Sequence, residues 1–175
     1  AKSNHHILIK KSIIENEMSK KENHYAILRY FNVVGSILNF NIKKKTRSLF
    51  DVIAQSIIKK TYKININGSN LKTLDGTPER DFIHIKDLCN IHKHVYTKLR
   101  NTNKILLNYG TGERFSVLQI VKKFEKVMKK KFKITYKVTN SDETQTICSD
   151  MSLLKKTLKI NISKNKISDF VKDYF

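Results

Sequence analysis

Residues 25–35 read Tyr-Ala-Ile-Leu-Arg-Tyr-Phe-Asn-Val-Val-Gly, and this stretch decides how the rest of the chain is interpreted. The mostly apolar residues 25–31 predict a buried strand. The chain is then expected to turn between Asn32 and Gly35. In open α/β sheets, ligands bind in the crevice where such strands end. The stretch therefore predicts both a sheet and the edge of a binding site.

Outward from this strand, helical and strand patterns alternate along the chain. Such alternation favours an α/β fold with parallel strand pairing, plus a smaller and irregular α+β part. The predicted helices cover residues 7–20 and 48–60, begin at the N-caps Asp87 and Ser116, and return near 150–158 and 164–173. The predicted strands cover residues 25–31, 63–67, 81–85, 104–109 and 132–138.

The composition limits the class of protein. The chain has 175 residues and a net charge of +20, but only five of its basic residues are Arg. Scattered Lys gives diffuse attraction rather than base-specific contacts, so we favour a solvated basic surface over a nucleic-acid role. Two cysteines, Cys89 and Cys148, in a Lys-rich chain without an apolar leader indicate a reduced, cytoplasmic protein. No apolar run has the length of a membrane span.

Three short motifs carry the functional signal: Leu28 to Asn32, Asp75 to His84, and Asn108 to Gly112. In this order they resemble the second half of the NAD-dependent UDP-sugar epimerases, most closely the UDP-glucose 4-epimerase family. The resemblance implies a partial Rossmann-type parallel sheet that lacks its N-terminal half, plus a small α+β substrate-binding domain. Residues 1–175 would be the C-terminal portion, in which the last Rossmann elements interleave with that domain.

The resemblance also implies roles for individual residues. Tyr30 and Phe31 would lie near the nicotinamide of NAD, or else belong to the strand core. Asn32 would hydrogen-bond the UDP-sugar, or else form a turn. Arg80 would grip the UDP diphosphate, because a guanidinium pairs two phosphate oxygens at once; the alternative is a surface Arg paired with Asp81 or Glu79.

Further contacts follow from the same resemblance. Ser48 and Leu49 align with a pair on the uracil side, and Glu143 keeps the acid of a stretch that holds the nucleotide. The backbone at Gly76 and Thr77 would approach the ligand. Arg114 stands where the family has Gly, and the turn would be strained if φ there is positive.

Histidines are not expected to do the chemistry. His84 is interpreted as structural rather than catalytic. His92 and His94 stand two apart on a predicted helix and point to different faces, so no metal site is predicted.

The residues of the family's reaction are incomplete here. That reaction interconverts UDP-glucose and UDP-galactose: NAD takes a hydride from C4 of the sugar and returns it, while the Tyr of a Tyr-x-x-x-Lys motif removes a proton. Lys11 aligns with the catalytic lysine, but its tyrosine position is Ile7; aligning Lys10 instead gives His6. There is no Gly-rich phosphate turn of the dinucleotide type.

We therefore expect a truncated or degenerate epimerase that is inactive alone, or that needs a separate N-terminal half or a homodimer partner. Without the missing strands, the strands at 25–31 and 104–109 would have unpaired edges and exposed apolar faces. Two alternatives stay open. One is another nucleotide-sugar epimerase or dehydratase, and the other is a non-enzymatic module that binds polyanions.

Overall fold

The helices and strands alternate along the chain as the sequence pattern predicts. The computed structural model describes residues 2–20, 23–35, 48–138, 144–160 and 170–171, and the side chains of the first helix from Ile9 onward. The helices are α1 (Lys2–Ser19), α2 (Leu49–Ile58), α3 (Ile85–Leu99), α4 (Val117–Met128) and α5 (Ser152–Leu158). The strands are β1 (Tyr25–Tyr30), β2 (Asn32–Val34), β3 (Lys63–Asn67), β4 (Glu79–Arg80), β5 (Phe82–His84), β6 (Lys104–Tyr109), β7 (Phe115–Ser116), β8 (Lys133–Lys137) and β9 (Thr146–Ile147).

Parallel pairing dominates the described strands. β1 pairs with β6, β2 with β5, and β3 with β8, all in parallel. The exception is a three-stranded group in which β4 lies between antiparallel β7 and parallel β9. The predicted class, an α/β fold with parallel pairs and a smaller mixed part, is confirmed.

Two apolar clusters form the core. The first gathers side chains from α2, β3 and α4, with the rings of Phe50, Phe82 and Phe124 packed against one another. The second lies between β6 and the helices α3 and α5, and includes Ile91, Leu107 and Leu154. α4 is amphipathic in the expected way, since its buried apolar residues recur at helical spacing.

The predicted turn at Asn32 to Gly35 is wrong. Residues Asn32–Val34 instead form β2, because the Asn32 amide finds an acceptor in the carbonyl of Asp81, at 3.1 Å, and the strand pairs with β5. β2 ends before Gly35, where φ is +91°. A strand partner 49 residues away therefore overrides a local turn preference.

Of the two predicted helix caps, one is correct and one is wrong. Ser116 caps α4, and its hydroxyl and the Gln119 side chain complete a reciprocal capping box. α3, in contrast, begins before Asp87: its cap is His84, whose Nδ1 accepts a hydrogen bond from the Lys86 amide at 3.1 Å. The imidazole also stacks on Phe170, which supports the structural interpretation of His84.

Other expectations are met in part. Residues 25–31 were expected to be buried, but the end of β1 is not, and Tyr30 is 53% exposed. The backbone strain that a positive φ would cause at Arg114 is absent, because its φ is not positive. The predicted helix at 164–173 lies largely outside the described residues, although Phe170 and Val171 are helical and buried.

Candidate functional site

A change of strand partner creates the edge of the candidate site. β1 follows β6 as far as Tyr30, and the Phe31 amide still donates to the carbonyl of Tyr109, at 3.1 Å. At Asn32 the chain leaves β6 and joins β5. Parallel strands that diverge in this way leave a crevice beyond their carboxyl ends, the usual place for a ligand in open α/β sheets.

A cleft of about 540 Å³ opens at this point. It brings together five of the predicted site residues: Lys11, Tyr30, Phe31, Asn32 and Arg80. These side chains come from α1, from the β1–β2 junction and from β4. The remaining residues that line it are Ser12, Glu15, Arg29, Asn108 and Ile147.

Arg80 stands on the central strand of the three-stranded group. Its Nη1 donates to the carbonyls of Glu79, at 2.8 Å, and Gln145, at 3.3 Å, and these bonds hold the guanidinium at the cleft wall. β7 and β9 pair with β4 on either side, so the backbone that carries Arg80 is fixed. A cation held in this way is suited to an anionic ligand.

The amide of Asn32 is also oriented. Its Nδ2 donates to the carbonyl of Asp81 at 3.0 Å, which leaves the side-chain oxygen as an acceptor at the cleft. Next to it, Tyr30 is more than half exposed and Phe31 is half-buried. The exposure of Tyr30 therefore contradicts the interpretation that its ring belongs to the strand core.

Lys11 reaches the cleft from α1, which is linked to β1 by an ion pair that the sequence analysis did not anticipate. Arg29 of β1 donates from Nε to Glu15 Oε1 at 2.9 Å and from Nη2 to the other carboxylate oxygen. This hydrogen bonding to Arg29 holds the pKa of Glu15 below its usual range. Glu15 neutralises Arg29, and Lys11 and Arg80 are the other basic residues that line the cleft.

The other predicted contacts lie elsewhere. Ser48 is the N-cap of α2, where its hydroxyl accepts from the Asp51 amide at 3.2 Å, and Leu49 packs against the first apolar cluster. Neither residue lines the cleft. Glu143 lies outside the described residues. Gly76 faces the chain rather than a ligand, since a Cβ there would lie 2.5 Å from the Ser69 carbonyl oxygen.

A buried carboxylate beside Arg80 is the main feature that sequence reasoning missed. Asp81 is completely buried and accepts hydrogen bonds from Thr111, Gly112 and Ser149. The available signal was the Arg80-Asp81 pair within the second motif. It was interpreted only as a possible ion pair between neighbours.

A dinucleotide needs free backbone amides for its pyrophosphate. The Gly-rich turn from Gly110 to Gly112 follows a strand, but its amides are already used: Thr111 N and Gly112 N donate to Asp81 at 2.8 and 3.0 Å. This turn is therefore not available to bind a dinucleotide pyrophosphate.

Two other classes of site were sought in the described part of the chain. No helix there has the length and apolar character needed to cross a bilayer. Nor does it hold a group of three or more His, Cys, Asp or Glu side chains arranged to bind a metal ion.

Comparison with known proteins gives a consistent result. The sequence pattern of the NAD dependent epimerase/dehydratase family matches residues 8–110. A UDP-glucose 4-epimerase from Drosophila melanogaster is 36% identical over 154 residues, which cover 83% of this chain and 44% of that protein.

Solved structures agree with the sequence match. A Stenotrophomonas maltophila UDP-glucose 4-epimerase, solved with NAD and a formylated UDP-arabinopyranose, superposes with a TM-score of 0.80 at 25% identity, over 96% of this chain and 51% of that one. The UDP-Glc/GlcNAc 4-epimerase of Campylobacter jejuni gives 0.75 at 26% identity, over 95% and 51%.

The chain thus spans about half the length of the relatives that it matches. The family pattern matches more than half of this chain, and the Drosophila melanogaster relative aligns with most of it. The chain belongs to the NAD dependent epimerase/dehydratase family.

Proposed function

We propose that this chain supplies the nucleotide-sugar wall of a UDP-sugar 4-epimerase, the enzyme class that interconverts UDP-glucose and UDP-galactose, and that it is inactive alone. The observation that carries the proposal is the cleft in which Arg80, Asn32 and Lys11 meet. Several relatives of this chain are named UDP-glucose 4-epimerases.

Each residue of the cleft has a part in binding. The planar guanidinium of Arg80 pairs with the oxygens of the diphosphate. Asn32 offers its amide oxygen to a sugar hydroxyl, because its Nδ2 is already bonded to Asp81. Lys11 adds a second positive charge to the lining of the cleft. Tyr30 and Phe31 provide apolar ring surface between the polar groups.

Two groups needed for turnover have no counterpart on this chain. No phenol stands four residues before Lys11, where the family has its proton acceptor, since that position is Ile7. In addition, the turn at Gly110–Gly112 has no amides left for a dinucleotide phosphate. NAD supplies the hydride acceptor in this family, and we assign its binding to a complementary N-terminal half, carried upstream, on a separate chain or by a homodimer partner.

Titrations of the purified chain test the proposal. UDP is expected to bind, the Arg80→Ala variant is expected to lose that binding, and NAD is expected not to bind by calorimetry. Arg100→Ala is the matched control, since it removes the same charge from the end of α3 without touching the cleft. Tight NAD binding, or turnover of UDP-galactose by the lone chain, contradicts the proposal.

The sugar itself is a finer question. A related nucleotide-sugar epimerase or dehydratase would use the same diphosphate contact. A product assay with labelled UDP-sugars, on an enzyme reconstituted with an N-terminal half, separates these activities.

A second candidate function, binding of polyanions, is favoured by one specific surface. The outer face of β3 and β8 carries Lys63 directly opposite Lys133, and Lys137 opposite Asn67, all exposed. Like charges placed opposite each other destabilise a sheet unless an anion lies between them. Binding to random duplex DNA tests this candidate, because counterion release requires a clear dependence on salt; affinity independent of salt excludes it.

A further inference from the structure

The side chain of Asp81 is the most completely bonded carboxylate among the described residues. Its Oδ1 accepts from Thr111 N at 2.8 Å and Thr111 Oγ1 at 2.7 Å. Its Oδ2 accepts from Gly112 N at 3.0 Å, Ser149 N at 3.1 Å and Ser149 Oγ at 2.6 Å. All five of these donors are backbone amides or hydroxyls, and together they fix the carboxylate in place. We call these four residues the Asp81 cluster: Asp81, Thr111, Gly112 and Ser149.

The main chain of the same residue is bonded to residues that line the cleft. The Asp81 carbonyl accepts hydrogen bonds from Asn32 N at 3.1 Å and from Asn32 Nδ2 at 3.0 Å. The Asp81 amide donates to the carbonyl of Ile147 at 3.0 Å. Arg80 immediately precedes it in the chain. Three residues that line the cleft, Asn32, Arg80 and Ile147, are therefore bonded to Asp81 or adjacent to it.

The fit around the carboxylate is close. A Cβ at Gly110 would lie 2.3 Å from both Asp81 Oδ2 and Ser149 Oγ, so only glycine allows the turn to approach. The carboxylate also links the segments on both sides of β4, since Thr111 and Gly112 lead into β7 and Ser149 follows β9. A shift of this side chain would move the strand that carries Arg80 together with its neighbours.

We infer that Asp81 is a positioning residue for the cleft: its buried carboxylate, which touches no ligand, sets the orientation of the Asn32 amide and of Arg80. This inference rests on the proposed function, because the value of that orientation lies in binding a UDP-sugar. It differs from a general stabilising role, since it predicts an effect on two particular side chains at the cleft.

The test compares two buried or half-buried carboxylates of the same motif. Asp81→Asn puts an NH₂ group against hydrogen-bond donors, whereas the control Asp75→Asn disturbs a second network, in which Thr77 and Ser116 bond Asp75 at the start of α4, away from the cleft. Two quantities are measured on the purified chain: the ¹⁵N resonance of the Asn32 side-chain amide, and the affinity for UDP.

Asp81→Asn is expected to shift the Asn32 resonance and to weaken UDP binding about tenfold, the effect of losing one hydrogen bond to a charged group. Asp75→Asn is expected to lower thermal stability while both quantities stay unchanged. If Asp81→Asn does not fold, Thr111→Val, which keeps the backbone amide and removes one of the five bonds, is expected to give a smaller change in the same direction.

The inference is overturned if the Asn32 resonance is unchanged in a folded Asp81 or Thr111 variant, or if Asp75→Asn changes it equally. The proposed function fails separately: wild-type chain that does not bind UDP refutes that function, while the Asn32 resonance still decides whether Asp81 positions the amide.

Discussion

Two regions of this molecule differ in how completely they bury their apolar side chains. The first, which we call the α2/α4 core, packs α2, β3, β8 and α4 around Phe50 and Phe124, and both of these rings are fully buried. The second, which we call the α1 face, comprises α1 and the adjoining side of β1 and β6. There Ile13 and Ile14 are 57% and 62% exposed.

The alternation along β6 shows why the two regions differ. Ile105, Leu107 and Tyr109 are buried against α3 and α5, whereas Leu106 points to the other face of the strand and is 46% exposed. Parallel sheets are normally covered on both faces. The α2/α4 core is thus packed by the chain's own residues, whereas the α1 face exposes apolar side chains of the kind that parallel sheets normally bury.

The largest predicted effect lies in the α2/α4 core. Phe124→Ala removes a ring that contacts Phe50 at a centroid distance of 5.4 Å and leaves a cavity. We expect it to lower the free energy of unfolding by about 3–5 kcal/mol. Denaturant unfolding measures this loss. Val127→Ala, on the exposed side of the same helix, is the control and should cost far less; equal losses would contradict the idea that this region is the stable one.

Acid should weaken the same core. Burial alone raises the pKa of Glu125, but hydrogen bonds from the Phe132 amide and Lys122, and the charges of Lys122 and Lys131, hold that pKa below its ordinary value of 4.5. The unfolded chain therefore binds the proton more tightly than the folded one. The stabilisation is present above pH 4.5 and is lost as the pH falls through the lower folded-state pKa.

A Glu125→Gln variant isolates this contribution. Its unfolding free energy is expected to be lower at pH 7 by about 1–3 kcal/mol, the cost of disturbing a buried bonded charge, and to fall less steeply toward pH 3. The slope that remains belongs to groups such as Asp75, whose pKa is also lowered: burial opposes this shift, but the hydrogen bonds from Ser116 and Thr77 outweigh it. An unchanged slope in the variant would show that Glu125 is not the source.

Structural features that depend on the pattern of neighbouring residues could be predicted from the sequence. The apolar spacing of α4 and its Ser116 cap are properties of neighbouring residues, and both were predicted correctly. β2 and the cap of α3 were not, because they depend on the Asp81 carbonyl and on the His84 ring in its folded setting. Resemblance to a family named Arg80 and Lys11 as candidate site residues, and both of them line the cleft.

The Asp81 cluster shows the limit of such reasoning. Its donors stand 30, 31 and 68 residues from the carboxylate, and no spacing rule joins them. The same holds for the pair of Arg29 and Glu15 between β1 and α1. Polar contacts across the fold depend on tertiary geometry, so a motif can identify a residue without indicating what it bonds.

The ion pair of Arg29 and Glu15, at the border of the α1 face, offers a test with a smaller expected effect. Arg29→Ala is expected to change global stability by less than about 1 kcal/mol, because exposed pairs contribute little. It should nevertheless speed amide hydrogen exchange in α1. Lys20→Ala, which removes the exposed pair with Glu17 within the same segment, is the control and should leave exchange in the middle of α1 unchanged. If both variants exchange alike, the pair does not hold the helix.

The smallest effect is predicted for Leu106. This prediction tests most directly the difference in burial between the α2/α4 core and the α1 face. Leu106→Ser should change the unfolding free energy by no more than about 0.5 kcal/mol, since the side chain is already half in water. Leu107→Ser, one residue along the same strand but 2% exposed, should cost about 2–5 kcal/mol. If an N-terminal half packs over Leu106, the substitution should also reduce association with an N-terminal half supplied in trans. A large loss of stability in the isolated Leu106 variant would mean instead that this face is covered by the chain itself.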